Sequence, residues 1–320
     1  MQKRPLGQTG IDVATLAFGG NVFGWTADEA TSFSLLDAFV AEGFNLIDTA
    51  DVYTRWIAGH QGGESETVIG KWLKRSGNRE KVVIATKVGM DMGPGGKGLS
   101  RDHIRQSVEG SLKRLQTDYI DLYQAHTDDE STPLEETLAA FGELVEQGKI
   151  RAFGASNYSA PRLLDSFNLV RDKELPAYQT LQPLYNLADR GAFEDALEEL
   201  CMEEGLGVLP YYSLGAGFLT GKYRSDADLA KSPRGETVKK RYWTEHGRRV
   251  LAALDEVSAR VHATPGQVAI AWLLRRPAVT APIASATSLP QLHDLVAATR
   301  LTLSDADVTV LNEASRQAPA

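Results

Sequence analysis

Along almost the whole chain, short apolar or β-branched runs alternate with longer stretches in which apolar residues recur at helical spacing. The strand-like runs are "VATLAFGG" from Val13, "FNLIDTA" from Phe44, "KVVIATKVG" from Lys81 and "YIDLYQAH" from Tyr119. They continue with "IRAFGASN" from Ile150, "AYQTLQPLYN" from Ala177, "LGVLPYYSL" from Leu206 and "TAPIASA" from Thr280. Amphipathic segments lie between them. "TADEATSFSLLDAFVAEG" carries Thr26 and Glu29 at capping-box spacing and stops at Gly43. "PLEETLAAFGELVEQG" places Pro133 by its first turn, acids early and Gly148 at its end. Ahead of the first strand, "KRPLGQTGIDV" reads as a small hairpin. Strands alternating with crossover helices predict a parallel sheet, and this many units predict a closed α/β barrel. The expected fold is a (β/α)8 TIM barrel with an N-terminal β-hairpin and extra helices before the last strand and at the C-terminus. The glycines of "FGGNVFG" do not have dinucleotide-fingerprint spacing, which argues against an open doubly wound sheet. No Pro-, Ser- or Gly-rich linker divides the chain, so residues 1–320 are expected to form one domain.

Composition narrows the range of partners. The chain is 42% hydrophobic and 24% charged, with a formal net charge of -8, which argues against a nucleic-acid or anionic-membrane binder. No apolar run approaches bilayer length and the start has no signal-peptide core, which predicts a cytoplasmic protein. The lone Cys201, in an amphipathic stretch, reads as packing. His60, His103, His246, His262 and His293 lack metal-ligand spacing, so no metal is expected. One basic stretch, "KSPRGETVKKRYWTEHGRR" from Lys231 to Arg249, is either a solvated helix face or a local anion site.

In a barrel, chemistry belongs at the C-terminal strand ends. There the second strand ends in Asp48 with Tyr53 five residues on, the third ends in Lys87 and the fourth in His126. Each alone is unremarkable, but together they form a chemical unit. A phenol near its ordinary pKa is a poor proton donor or acceptor at neutral pH unless a cation such as Lys87 favours its phenolate. Asp48 would keep that lysine charged, and His126 could orient a carbonyl oxygen or help relay a proton. The set can protonate a developing alkoxide but can reduce nothing, so a hydride source must come from a cofactor.

These residues sit within "DTADVY", "ATKVG", "LSRDHIRQSVEGSLKRLQTDYIDLYQAH", "GKIRAFGASNY" and "LPYYSLGAGFLTGKY", and on those motifs the chain resembles the aldo-keto reductases over nearly its whole length. The resemblance implies an oxidoreductase acting on a small aldehyde or ketone, with Tyr53 as proton donor, Asp48 and Lys87 tuning it and His126 assisting. It also implies a nicotinamide cofactor lying across the strand ends.

Residue by residue, the resemblance assigns Ser156, Asn157 and Gln179 to the carboxamide, Tyr211 to stacking on the nicotinamide, and Gly20, Asn21 and Asp48 to cofactor contact. Tyr212 and Ser213 stand where the family often has Ser and Pro. Leu214 and Gly217 would lie by the pyrophosphate, with Lys222 and Arg234 as charge partners. In the last unit the candidates are Ser285, Thr287, Gln291 and Asp294, the last in place of the family's Glu, and Leu295 replaces Asn. That segment offers no cation, so a 2'-phosphate would rely on hydroxyls, a helix N-terminus and Arg234. The preference is for NADPH, with NADH the alternative. The Gly-rich loops after Tyr53 and Lys87 are either flexible connections or a substrate rim walled by Phe23, Trp25 and Trp56. Two rival functions stay open: a nicotinamide sensor with little turnover, and a lyase or isomerase using Tyr53 and Lys87 without a cofactor. Substrate identity, reaction direction and oligomeric state are not legible.

Overall fold

The computed structural model describes residues 2–230 and 232–316. Hairpin strands β1 (Lys3–Pro5) and β2 (Asp12–Ala14) pair antiparallel. Eight parallel strands follow: β3 (Ala17–Gly19), β4 (Leu46–Asp48), β5 (Val83–Val88), β6 (Ile120–Ala125), β7 (Ile150–Ser156), β8 (Thr180–Gln182), β9 (Gly207–Val208) and β10 (Ile283–Ala284). β10 pairs with β3 on one side. On the other, Thr280 N–H donates to Val208 O at 2.9 Å and Ile283 N–H to Pro210 O at 2.9 Å, which closes the barrel as expected.

Helices α1 (Glu29–Ala41), α2 (Glu64–Ser76), α3 (Arg101–Leu115), α4 (Leu134–Glu146), α5 (Ala160–Lys173) and α6 (Ala196–Glu203) are the first crossovers. Between β9 and β10 run α7 (Asp226–Leu229), α8 (Gly235–Arg241), α9 (Glu245–Val261) and α10 (Pro265–Leu274), the expected surplus. α11 (Leu289–Ala298) and α12 (Asp305–Ala314) follow β10. Two local readings change. Val13 belongs to the hairpin, and the first barrel strand starts at Ala17. The cap of α1 is Asp28, whose extended backbone precedes Glu29 and whose carboxylate accepts from Thr31 N–H at 2.8 Å; Thr26 lies two residues too early.

The period of two along each strand sorts the core into two parts. Leu46, Ala85, Leu122 and Ala152 share an inner cluster with Leu6, Ile11 and Val13, so the hairpin stoppers the N-terminal end of the barrel. Ile47, Ile84, Tyr123 and Phe153 belong to the outer cluster against the helices. Gly7 makes the hairpin turn at φ +58°, where a Cβ would come within 2.2 Å of Gln179 O; the turn packs directly on the lower end of β8. Two residues above Leu46, Ala85 and Leu122, on the same inward face, stand Asp48, Lys87 and Gln124. Among the described residues no helix is long and apolar enough to cross a membrane.

Candidate active site

Strand alternation points Asp48 and Lys87 into the barrel, and register brings them together: Asp48 lies beside Ala85, two residues before Lys87. Both are almost wholly buried. Lys87 Nζ donates to Asp48 Oδ2 at 2.8 Å, to Thr49 O at 2.7 Å and to Tyr53 Oη at 3.1 Å, so each of its three protons has an acceptor. Tyr53 Oη in turn donates to Asp48 Oδ2 over 3.5 Å. Tyr53 reaches this point because β4 ends at Asp48 and the chain turns through Ala50–Tyr53, carrying the phenol back over the barrel mouth. Its ring stands edge-on to His126 at 5.9 Å between centroids. The four predicted catalytic residues therefore converge.

Their electrostatics partly invert the expectation. Burial lowers the proton affinity of Lys87, but Asp48 opposes that loss. Burial, then the charge of Asp48, raises the Tyr53 hydroxyl well above its ordinary value, so the phenol is held protonated. The cationic Lys87 does not outweigh these effects. His126 is pushed well below its ordinary value, first by burial and then by Lys87, and is neutral at physiological pH. Its Nδ1 is buried and has no hydrogen-bond partner among the described residues, as is true of Gln124 Nε2 beneath it. Unmet polar atoms at the top of a packed barrel are what a polar ligand would satisfy.

Beside His126 the residues assigned to the carboxamide gather as well. Asn157, with φ +58°, donates from Nδ2 to His126 O at 2.9 Å and to Ser156 Oγ at 3.1 Å; Tyr211 Oη donates to Asn157 Oδ1 at 2.7 Å. Gln179 does not join them. It sits at the N-terminal end of β8 against the hairpin, its Nε2 donating to Ala177 O at 3.2 Å. The glutamine in the site is Gln182, whose Nε2 donates to Asp48 Oδ1 at 2.9 Å and to Gln124 Oε1 at 3.3 Å. Leu181 packs outward, so Gln182 points inward while Gln179, of opposite parity, cannot. Applying that alternation to "TLQ" would have found Gln182.

Elsewhere on the rim the assignments divide. Ser285 Oγ donates to Asn21 Oδ1 at 2.6 Å across the seam between β10 and β3, next to Gly19 and Gly20. Thr287 N–H and hydroxyl both donate to Gln291 Oε1, at 2.9 and 3.1 Å. Lys222 lies against Gly217 and over the Tyr223 ring. Arg234 sits over the Trp25 ring at 5.7 Å, and burial lowers its pKa. Leu214 is partly buried, near Gly266. Tyr212 is 42% exposed and takes φ +58°, whereas Ser213 is buried and donates to Pro210 O at 3.0 Å, within its own turn. Asp294 is committed to another element: it accepts from Gln267 Nε2 at 2.7 Å and from the hydroxyl of Thr264, the residue that caps α10.

Of the three rim aromatics, Trp25 and Trp56 meet edge-to-face at 5.9 Å, and Trp56, 52% exposed, also abuts Tyr53. Phe23 is a correction. A 3₁₀ turn at Gly20–Val22 directs it inward, where it is fully buried and stacked on Phe18. The basic stretch is largely helical; Arg241 pairs with Asp189, and Lys231 lies outside the described residues. Cys201 is buried, its thiol pushed up to about 12 by burial and Glu198.

The aldo/keto reductase family model matches residues 15–316. "Protein tas" of Escherichia coli (strain K12) is 35% identical over 342 residues, covering 99% of this chain and 98% of that protein. "Uncharacterized oxidoreductase YrpG" of Bacillus subtilis (strain 168) is 35% identical over 321 residues, 98% of this chain and 95% of its own. "Probable voltage-gated potassium channel subunit beta" of Arabidopsis thaliana is 32% identical over 301 residues, 92% and 90%. With its closed barrel, its Lys87 bonded to Asp48 and Tyr53, and His126 edge-on to that tyrosine, the chain belongs to the aldo/keto reductase family.

Proposed function

We propose that this protein reduces aldehydes or ketones to alcohols with NADPH, and that Tyr53 gives the proton. One observation carries the reading: a buried Lys87 ammonium touches both Asp48 Oδ2 at 2.8 Å and Tyr53 Oη at 3.1 Å. The residues present fit a nicotinamide: the unmet Nδ1 of His126 and Nε2 of Gln124 lie beside the polar group of Ser156, Asn157 and Tyr211, with Lys222 and Arg234 farther along the rim. Ser156, Asn157 and Gln182 would hold the carboxamide, Tyr211 the ring face, and Lys222 and Arg234 the phosphates. When bound, the reduced cofactor supplies the hydride that no side chain can.

The side chains supply the rest. Negative charge developing on the substrate oxygen meets the Tyr53 hydroxyl, and neutral His126 offers an N–H to the same oxygen. Tyr53 releases its proton as the alkoxide forms, and the phenolate left behind keeps the Lys87 N–H at its side. Asp48 holds Lys87 charged and fixed, and Gln182 holds Asp48. Trp25 and Trp56 wall the approach.

The experiment is the loss of reduced-nicotinamide absorbance with a panel of small aldehydes and ketones, run with NADPH and NADH in parallel. NADPH consumption at the higher kcat/KM is expected; better turnover with NADH reverses the cofactor preference. Tyr53→Phe should lower turnover by about 10²–10⁴-fold while cofactor affinity stays within about twofold. Surviving turnover removes Tyr53 from the donor role. A second reading rests on the channel β-subunit relative: a nicotinamide-binding regulatory protein, which tight cofactor binding with negligible turnover across the panel would favour.

A further inference from the structure

Behind Lys87 lies a second group of ionisable residues that the reduction chemistry does not use. Asp51, three residues past Asp48, is 2% exposed, and its Oδ1 is buried with no hydrogen-bond partner among the described residues. Its backbone N–H donates to Lys87 O at 3.4 Å, which places it at the upper end of β5. From α2 the wholly buried Glu66 accepts from Thr86 Oγ1 at 2.6 Å and from Arg114 Nε of α3 at 2.6 Å. From β6 comes Tyr123, wholly buried and close enough to feel Asp51, Glu66 and Arg114. These groups, with Lys87, are the charged and titratable neighbours of Asp51.

The charges balance only if Asp51 carries none. Lys87 and Arg114 supply two positive charges, and Asp48 and Glu66 two negative ones, paired at 2.8 and 2.6 Å. An ionised Asp51 would add a third negative charge, unpaired and out of water, the costliest arrangement a carboxylate can take. Burial first, then Glu66, pushes its carboxyl up to about 8, against the pull of Arg114, the Val52 N–H and Lys87.

We propose that Asp51 is a positioning residue that acts through Lys87: kept uncharged by its buried neighbours, it sets the charge balance in which Tyr53 can give up its proton. It rests on the reductase reading. An ionised Asp51 would strengthen the hold of Lys87 and Tyr53 on their protons, making Tyr53 a weaker acid toward the alkoxide. Reduction should therefore fade as Asp51 loses its proton, well below the pH at which Tyr53 itself ionises.

The test compares pH profiles of kcat/KM for carbonyl reduction with NADPH, from pH 6 to 10. Wild type should fall about tenfold between pH 7 and pH 9, as expected for one group with a pKa near 8. Asp51→Asn, which keeps the shape without the charge, should match wild type at pH 7 and stay within about twofold across that range. Glu66→Gln should shift the decline about one pH unit lower, because it removes a charge that keeps Asp51 protonated. Superimposable wild-type and Asp51→Asn profiles overturn the proposal. Carboxyl carbon NMR of aspartate-labelled protein needs no turnover: one resonance should titrate above pH 7, and its absence overturns the proposal even if Asp51→Asn does not fold. A wild type that reduces nothing sinks the reductase reading and the positioning role together, whereas parallel profiles in a working enzyme sink the positioning role alone.

Discussion

Two buried aspartates at opposite ends of the barrel show how the same side chain serves two purposes. Asp121, at the N-terminal end of β6, is 1% exposed and lies between two guanidinium groups, Arg79 Nη2 at 2.8 Å and Arg151 Nη1 at 2.8 Å, with Ile84 N–H donating at 2.9 Å. Arg79 is itself committed to Thr117 Oγ1 and Tyr119 O, and lies over the Tyr119 ring at 3.7 Å. Among the described residues, no unmet buried atom belongs to this group. Asp48 is equally buried and equally well bonded, but its partners are a lysine and a phenol that can exchange protons, and the space around them holds the unmet atoms of Gln124, His126 and Asp51. Arginine is not deprotonated in proteins, so the Asp121 cluster is a clamp; lysine and tyrosine titrate, so the Asp48 cluster can do chemistry. Burial and ion pairing do not separate the two. Partner type and unmet polar valence do.

Substitutions at the two ends should fail in different assays. The largest expected effect is at the reactive end: Lys87→Met should lower turnover about 10³-fold, because Tyr53 loses the cation that stabilises its phenolate. A steady-state assay at pH 7 reads it, and turnover within tenfold of wild type would place the stabilising charge elsewhere. Next comes the clamp. Asp121→Ala leaves a partly buried and a half-exposed arginine without their anion and the Ile84 N–H without its acceptor, and should cost about 1–3 kcal/mol in urea unfolding. Turnover measured below the melting transition should stay within about twofold. A collapse of activity in a still-folded Asp121→Ala protein would dissolve the distinction between clamp and reactive cluster.

Smaller effects sharpen it. Gln182→Leu removes the hydrogen bond to Asp48 Oδ1 and should cost about tenfold in kcat/KM, with cofactor affinity falling alongside. Gln179→Ala, at the hairpin end, should change neither by more than about twofold. Equal losses from the two would mean that the lower end of β8 communicates with the site.

Much of this was open to reading in the chain. Eight strand-like runs, the hairpin and the surplus helices before the last strand follow from apolar periodicity and turn residues, and the structure bears them out. The convergence of Asp48, Tyr53, Lys87 and His126 was legible because a barrel presents its strand ends on one face, so position along each strand translates into position in space. Gln179, Phe23 and Thr26 were misread for local reasons. One residue of parity decides which way a glutamine points, a 3₁₀ turn decides whether a phenylalanine lines a rim or a core, and a backbone angle decides which residue caps a helix.

What the sequence determined by itself is therefore the periodic part, the closed barrel and the placing of four polar residues at its mouth, because alternation and spacing are properties of neighbours along the chain. Only the tertiary structure decided that Gln182 holds Asp48, and that Asp51 Oδ1 is left without a hydrogen bond among the described residues, beside the Glu66–Arg114 pair, while Asp121 is clamped by Arg79 and Arg151. These arrangements bring together residues from separate strands and helices, and burial sets the strength of every charge in them. Proton affinity in such a cluster depends on distance and dielectric, which exist only once the chain has closed on itself.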